Sequence, residues 1–104
     1  MKIIHAVRLH RTKGYPMDAI WFHLDPESGL RHPDVEVSAE RVFEELVMGG
    51  EVALKFPNSE ATRRCRPVSL ERGIKTFGLE DAPDQAANEI RRCKQLVPYG
   101  ADSD

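Results

Sequence analysis

The sequence predicts an α+β fold: one small domain with a mostly antiparallel sheet of four to five strands and two or three helices packed on one face. Three observations carry that expectation. Residues 2–10, 17–24 and 51–56 alternate in the manner of strands, residues 38–48 carry a capped helical stripe, and residues 80–97 repeat a helical pattern near the end of the chain.

The first segment, KIIHAVRLH, places Ile3, His5, Val7 and Leu9 on one face and Lys2, Ile4, Ala6, Arg8 and His10 on the other. RTKGYP supplies the break, through Gly14 and Pro16. In MDAIWFHL, Ile20, Phe22 and Leu24 share one side and Ala19, Trp21 and His23 the other. Apolar residues on both sides mark a central strand or one partly covered on its second side. DPESG is a turn, and a short strand from Asp34 to Val37 follows.

Ser38 is placed as an N-cap, with Glu40 in the first turn and Val42, Phe43, Leu46 and Val47 as one apolar stripe. Gly49-Gly50 stops that helix. EVALKF then turns Val52, Leu54 and Phe56 inward. Thr62 to Ser69 reads as its antiparallel partner, with Pro67 marking an edge or an end. Leu70, Ile74 and Phe77 fall at helical spacing, so a short helix or turn is expected there, against the roughly 1 kcal/mol that Gly73 opposes to it.

The last helix opens with acids and Pro83 and ends among basic residues, as the helix dipole favours. Its apolar side is Ala86, Ala87, Ile90, Cys93 and Val97. Residues 1–98 therefore read as one domain and 99–104 as a flexible polar tail.

At 104 residues the chain has material for one core, and 40% hydrophobic against 31% charged residues is a globular balance. No apolar run is long enough for a membrane helix or a leader, so a cytoplasmic protein without membrane contact is expected. The net charge of −2 conceals segregation. Residues 1–13 carry four cations and no acid, 14–51 carry two cations and nine acids, 52–79 carry six cations and two acids, and the remainder carries three cations and six acids. Oppositely charged segments that face each other across the fold or across a dimer explain this more simply than a polyanion-binding face.

Motifs that dictate chemistry are missing from the sequence. The two cysteines are far apart, and His5 and His10 fall on opposite faces of a strand, so neither a metal nor another cofactor is expected. Cys65 lies between Arg64 and Arg66, which favour its thiolate if it is exposed, whereas Cys93 faces the apolar side of the last helix. Cys65 is thus expected to be the more reactive thiol. No phosphate loop, nucleophile elbow or catalytic constellation occurs, and no catalytic residue is assigned.

Three function classes follow. The first is a small non-enzymatic accessory domain that binds another protein or a second copy of itself, with Glu40, Glu44 and Glu45 as its acidic surface. The second is a nucleic-acid-binding accessory protein using Arg8, Arg11, Lys13, Arg63, Arg64, Arg66 and Lys75, with Tyr15 available for stacking. The third is a ligand-binding protein or small enzyme built on His5, Trp21 and His23.

Overall fold

The computed structural model describes residues 1–56 and 61–81, together with the backbone of residues 94–95. Its elements are β1 (Lys2–Leu9), β2 (Pro16–His23), β3 (Val35–Ser38), α1 (Ala39–Val47), β4 (Val52–Lys55), β5 (Thr62–Ser69), β6 (Lys75–Leu79) and β7 (Lys94–Gln95). The sheet runs β3-β2-β1-β4-β5-β6. Antiparallel pairing joins every neighbour except β1 and β4, which run parallel. On its β4 side β1 is shared. Lys2–Ile4 pair with β4, whereas Ala6 and Val7 pair in parallel with β7.

The expected fold class is corrected here. The sheet is mixed, with six strands in its main path, and α1 is the one α-helix among the described residues. Three causes account for the difference. First, the segment from β3 through α1 returns the chain to the far side of β1, and a crossover of that kind makes β4 parallel. Second, the helical spacing of Leu70, Ile74 and Phe77 is interrupted at Arg72 and Gly73, whose φ angles are 63° and 74°. Two successive left-handed residues close a tight hairpin, so Lys75–Leu79 returns as a strand with Thr76, Phe77 and Leu79 all buried. Third, the expected C-terminal helix falls mainly on residues 82–93, outside the described residues, and the backbone at Lys94–Gln95 is extended. The tail expected at 99–104 and Cys93 also lie outside the described residues.

A β-bulge sets the inner face of β1. Ile4 pairs with Trp21 and Ala6 with Ile20, leaving His5 as the extra residue. The phase of the alternation therefore slips. Ile4 and Val7 enter the main core, while Ile3 joins Phe22 and Ala53 in a smaller cluster on the other side. The main core adds Trp21, Leu54, Cys65, Phe77 and Leu79 to the two buried residues of α1, Ala39 and Val42.

α1 forms where its cap predicts. Ser38 Oγ accepts from the Arg41 amide at 3.1 Å, and Gly49, at φ 91°, ends the helix beyond Met48. The helix packs against β2 and β3 at one end of the strand order and against β5 and β6 at the other, so the sheet curls around it. One buried hydrogen bond fastens the curl: Thr76 Oγ1 in β6 donates to the Pro16 carbonyl at the start of β2, at 2.6 Å.

The exposure on which the expected thiolate character of Cys65 depended does not hold, and Cys93, with which it was compared, lies outside the described residues. The alternation of β5 turns Arg64 and Arg66 away from the core and Cys65 into it, where its exposure is 4%. Burial among apolar groups makes it a packing residue.

Two measurements test this architecture. Thr76→Val keeps the shape and leaves a buried carbonyl without its donor, so it is expected to lower unfolding stability by about 1–3 kcal/mol in urea titration. In a Cys93→Ser background, thiol labelling of the folded protein is expected to run roughly a hundredfold or more slower than in denaturant, because it must await opening of the core. Labelling as fast as in denaturant would contradict the burial of Cys65.

Candidate functional site

The residues that sequence reasoning grouped are redistributed by the fold. Trp21 and His23 share a face of β2, and Lys2 is the cross-strand neighbour of His23. His5 sits on the opposite face. Its ring centroid is 5.9 Å from that of Phe22, and its Nε2 lies 3.1 Å from Asp34 Oδ2. Arg31 stacks its guanidinium 3.9 Å over the same Phe22 ring and pairs with Asp34 at 3.0 Å. The Arg31 hydrogen bond, with His5 adding to it, holds the Asp34 carboxyl below the ordinary carboxylate range. His5 thus helps fasten the loop after β2 over the second apolar cluster, apart from Trp21 and His23.

Three of the seven basic residues expected to form a polyanion surface, Arg8, Arg63 and Arg64, are matched to carboxylates within the chain. Arg8 contacts Asp18 at 3.0 Å, Arg64 contacts Glu51 at 3.2 Å, and Arg63 makes a two-pronged pair with Asp81 at 2.9 and 3.2 Å. Arg63 keeps Asp81 below its usual pKa, so this contribution is complete at neutral pH and fades only as the pH falls through that lowered value. Arg66 is half-buried on β5, and the Lys75 ammonium lies 5.6 Å from the Phe43 ring. On α1, Glu45 is engaged by Arg41 at 3.1 Å, whereas Glu40 and Glu44 are exposed.

Three further cations among the described residues stand at one end of the molecule. The β1–β2 tip carries Arg11 and Lys13, the β5–β6 tip carries Arg72, and none of these three has an acid within ion-pair distance among the described residues. The first tip is shaped from within. His10 Nδ1 accepts from the Lys13 amide at 3.1 Å, and the His10 and Tyr15 rings stack 4.8 Å apart at 17°. Thr76 and Pro16 lie immediately behind the two tips, so the bond between them holds the tips together.

Between the tips lies a recess of about 500 Å³ lined by Lys13, Tyr15, Leu70, Glu71, Arg72 and Ile74. Its walls are mainly apolar, Leu70 is 40% exposed, and two cations stand against the single carboxylate of Glu71. Sequence reasoning singled out Lys13 and Tyr15 but passed over Arg72, Leu70 and Ile74. The signal available for Arg72 was the following glycine, since Arg-Gly at a hairpin tip forces a side chain into a backbone region that glycine and asparagine prefer.

Comparison with protein-family models, with curated proteins and with solved structures gives no match for this chain. No helix among the described residues is long and apolar enough to cross a membrane. Among the same residues, no cluster of three or more His, Cys, Asp or Glu side chains is placed to hold a metal ion.

The backbone of Arg72 supplies a test of whether the recess is held under strain. Arg72→Asn keeps a polar side chain and suits the left-handed conformation, so it is expected to raise stability by about 1 kcal/mol in urea unfolding. A loss of stability would show that the guanidinium makes compensating contacts.

Proposed function

We propose that this chain is a small binding domain whose partner is another protein, and that the recess between the two hairpin tips receives an acidic segment of that partner around one apolar side chain. The carrying observation is the pairing of an apolar floor, Leu70 and Ile74, with unpaired Lys13 and Arg72 at its edge. An acidic residue on each side of a leucine or phenylalanine satisfies both features. The apolar group leaves water and the carboxylates meet cations that have no ion-pair partner among the described residues. A strained Arg72 on the edge fits this use, because strain of that kind collects where a side chain must be presented.

Single-stranded nucleic acid is the competing occupant, favoured by the half-buried Tyr15 stacked on His10. Against it stand the intramolecular pairs of Arg8, Arg63 and Arg64, which remove much of the charge such binding would use.

Selection from a random peptide display library separates the two. Peptides that bind the wild-type protein are expected to carry acids flanking a large apolar residue. Synthesised singly, they are expected to lose about tenfold or more in affinity to the Lys13→Glu and Leu70→Ser variants, as removal of a charge pair or an anchor implies. Enrichment of basic or purely polar peptides, or equal binding by the variants, would reject the reading. Salt-sensitive binding of a labelled oligonucleotide that Lys13→Glu abolishes, with no peptide enriched, would replace it by the nucleic-acid one.

A further inference from the structure

A second recess lies at the other end of β2, and its chemistry differs from that of the hairpin tips. It has a volume of about 460 Å³ and is lined by Trp21, His23, His32, Pro33, Val35 and Lys2, with Phe22 beneath. Its apolar side is Trp21, Pro33 and Val35, the last of which is 52% exposed. Its polar side is Lys2, His23 and His32. Lys2 Nζ stands 5.4 Å from the centre of the Trp21 ring, and the two imidazole centroids are 5.2 Å apart. The spacing of the imidazoles is fixed by the backbone, where the His32 amide donates to the His23 carbonyl at 2.9 Å. His23 Nδ1 is buried and has no hydrogen-bond partner.

We infer that this recess is a binding site for a small organic carboxylate, with the acid held by Lys2, His23 and His32 and its apolar part laid against Trp21 and Val35. The recess sets an ammonium and two imidazoles beside an apolar wall, a combination that a carboxylate carried on an apolar body satisfies. The charge around the recess selects the sign of that group. The groups acting on His23 are the amino terminus and Lys2 from β1 and its approach, His32 from the loop, and Asp25 alone in opposition, while Arg41 of α1 lies 5.4 Å from the Trp21 ring. Asp25 is also occupied, accepting the Glu27 amide at 2.9 Å. The field is therefore cationic. It repels a metal ion and favours an anion, and a single permanent ammonium among the lining groups suits one negative charge.

The surroundings also dictate a pH dependence. Burial first, then the amino terminus, Lys2 and His32, lower the pKa of His23 below the ordinary histidine value, with Asp25 acting the other way. A bound anion opposes those cations and raises the pKa again. Proton and carboxylate then favour each other, so affinity rises as the pH falls through the histidine range.

Trp21 is the sole tryptophan and reports on the recess directly. Titration of the full chain with benzoate is expected to give a saturable change in tryptophan fluorescence, tighter at the acid end of the histidine range than above it. Lys2→Met keeps the apolar stem over Trp21 and is expected to weaken benzoate about tenfold, as loss of a charge-assisted contact implies. His32→Gln is expected to reduce the slope of affinity against pH, and the His23 ring proton shift, followed by NMR, is expected to titrate at higher pH when benzoate is present. Benzamide serves as the neutral isostere. Equal binding of benzamide and benzoate, an unaltered affinity in a folded Lys2→Met variant, or no saturable signal at tens of millimolar benzoate would each overturn the inference. Stronger binding of inorganic phosphate than of benzoate would overturn the carboxylate assignment.

Discussion

The hydrogen bond from Thr76 to the Pro16 carbonyl is the contact on which the rest of the arrangement depends. It joins residues 60 positions apart, from the edge strand β6 to β2 beside the opposite edge of a curled sheet, and it is buried. α1 packs against β2 and β3 on one side and β5 and β6 on the other, leaving Val42 with no exposure, and the bond fastens β6 to β2 across that closure. The same bond brings the two hairpin tips side by side, because Tyr15 and Ile74 lie within two residues of its ends. Core closure and the geometry of the recess are thus one constraint. A hydroxyl is suited to this position, since a buried carbonyl next to a proline needs a donor and β6 has a side chain available to give it.

Charge is distributed under a related constraint. The segregation along the sequence is resolved mainly inside the fold, where β5 meets the chain segments that follow α1 and β6 through Arg64–Glu51 and Arg63–Asp81. Exposed pairs of this sort contribute little to stability one by one. Their larger effect is on recognition, because each matched guanidinium is lost to an external anion. Among the described residues, three cations without an ion-pair partner, Arg11, Lys13 and Arg72, stand at the tips, where the apolar recess also lies. That coincidence, more than the number of basic residues, distinguishes this end of the molecule.

The parts of the fold legible in the sequence are those specified locally. β1, β2 and β4 follow from alternation, and α1 from Ser38, its stripe and Gly49. What escaped depends on partners distant in sequence or on single backbone residues. The parallel pairing of β1 with β4 is a property of the crossover and has no local signature. The bulge at His5 shifts the phase of β1 and separates His5 from Trp21, an outcome that alternation alone cannot show. β6 is buried on both faces, so it lacks the period of a half-exposed strand, and Leu70, Ile74 and Phe77 imitate a helix. The candidate site was half legible for the same reason. Lys13 and Tyr15 announce themselves as cation and aromatic on a turn, whereas Leu70 and Ile74 acquire their role only when the sheet closes.

The two recesses lie at opposite ends of β2, which raises the matter of whether one senses the other. Coupling between sites requires an element with two arrangements that both ligands bias. β2 is a poor candidate. It is hydrogen-bonded to β1 along its length and to β3 from Asp18 to Trp21, and Ala19 at its middle has no exposure. A strand held on both sides transmits position but has no second register to adopt without turning Trp21 out of the core. The loop that carries His32 is a better place for movement. Arg31 and Asp34 fasten it chiefly to Phe22 and His5 on the far face of the sheet, so its displacement leaves the hairpin tips undisturbed. The pinned strand between them therefore gives the two recesses no shared element with two arrangements among the described residues.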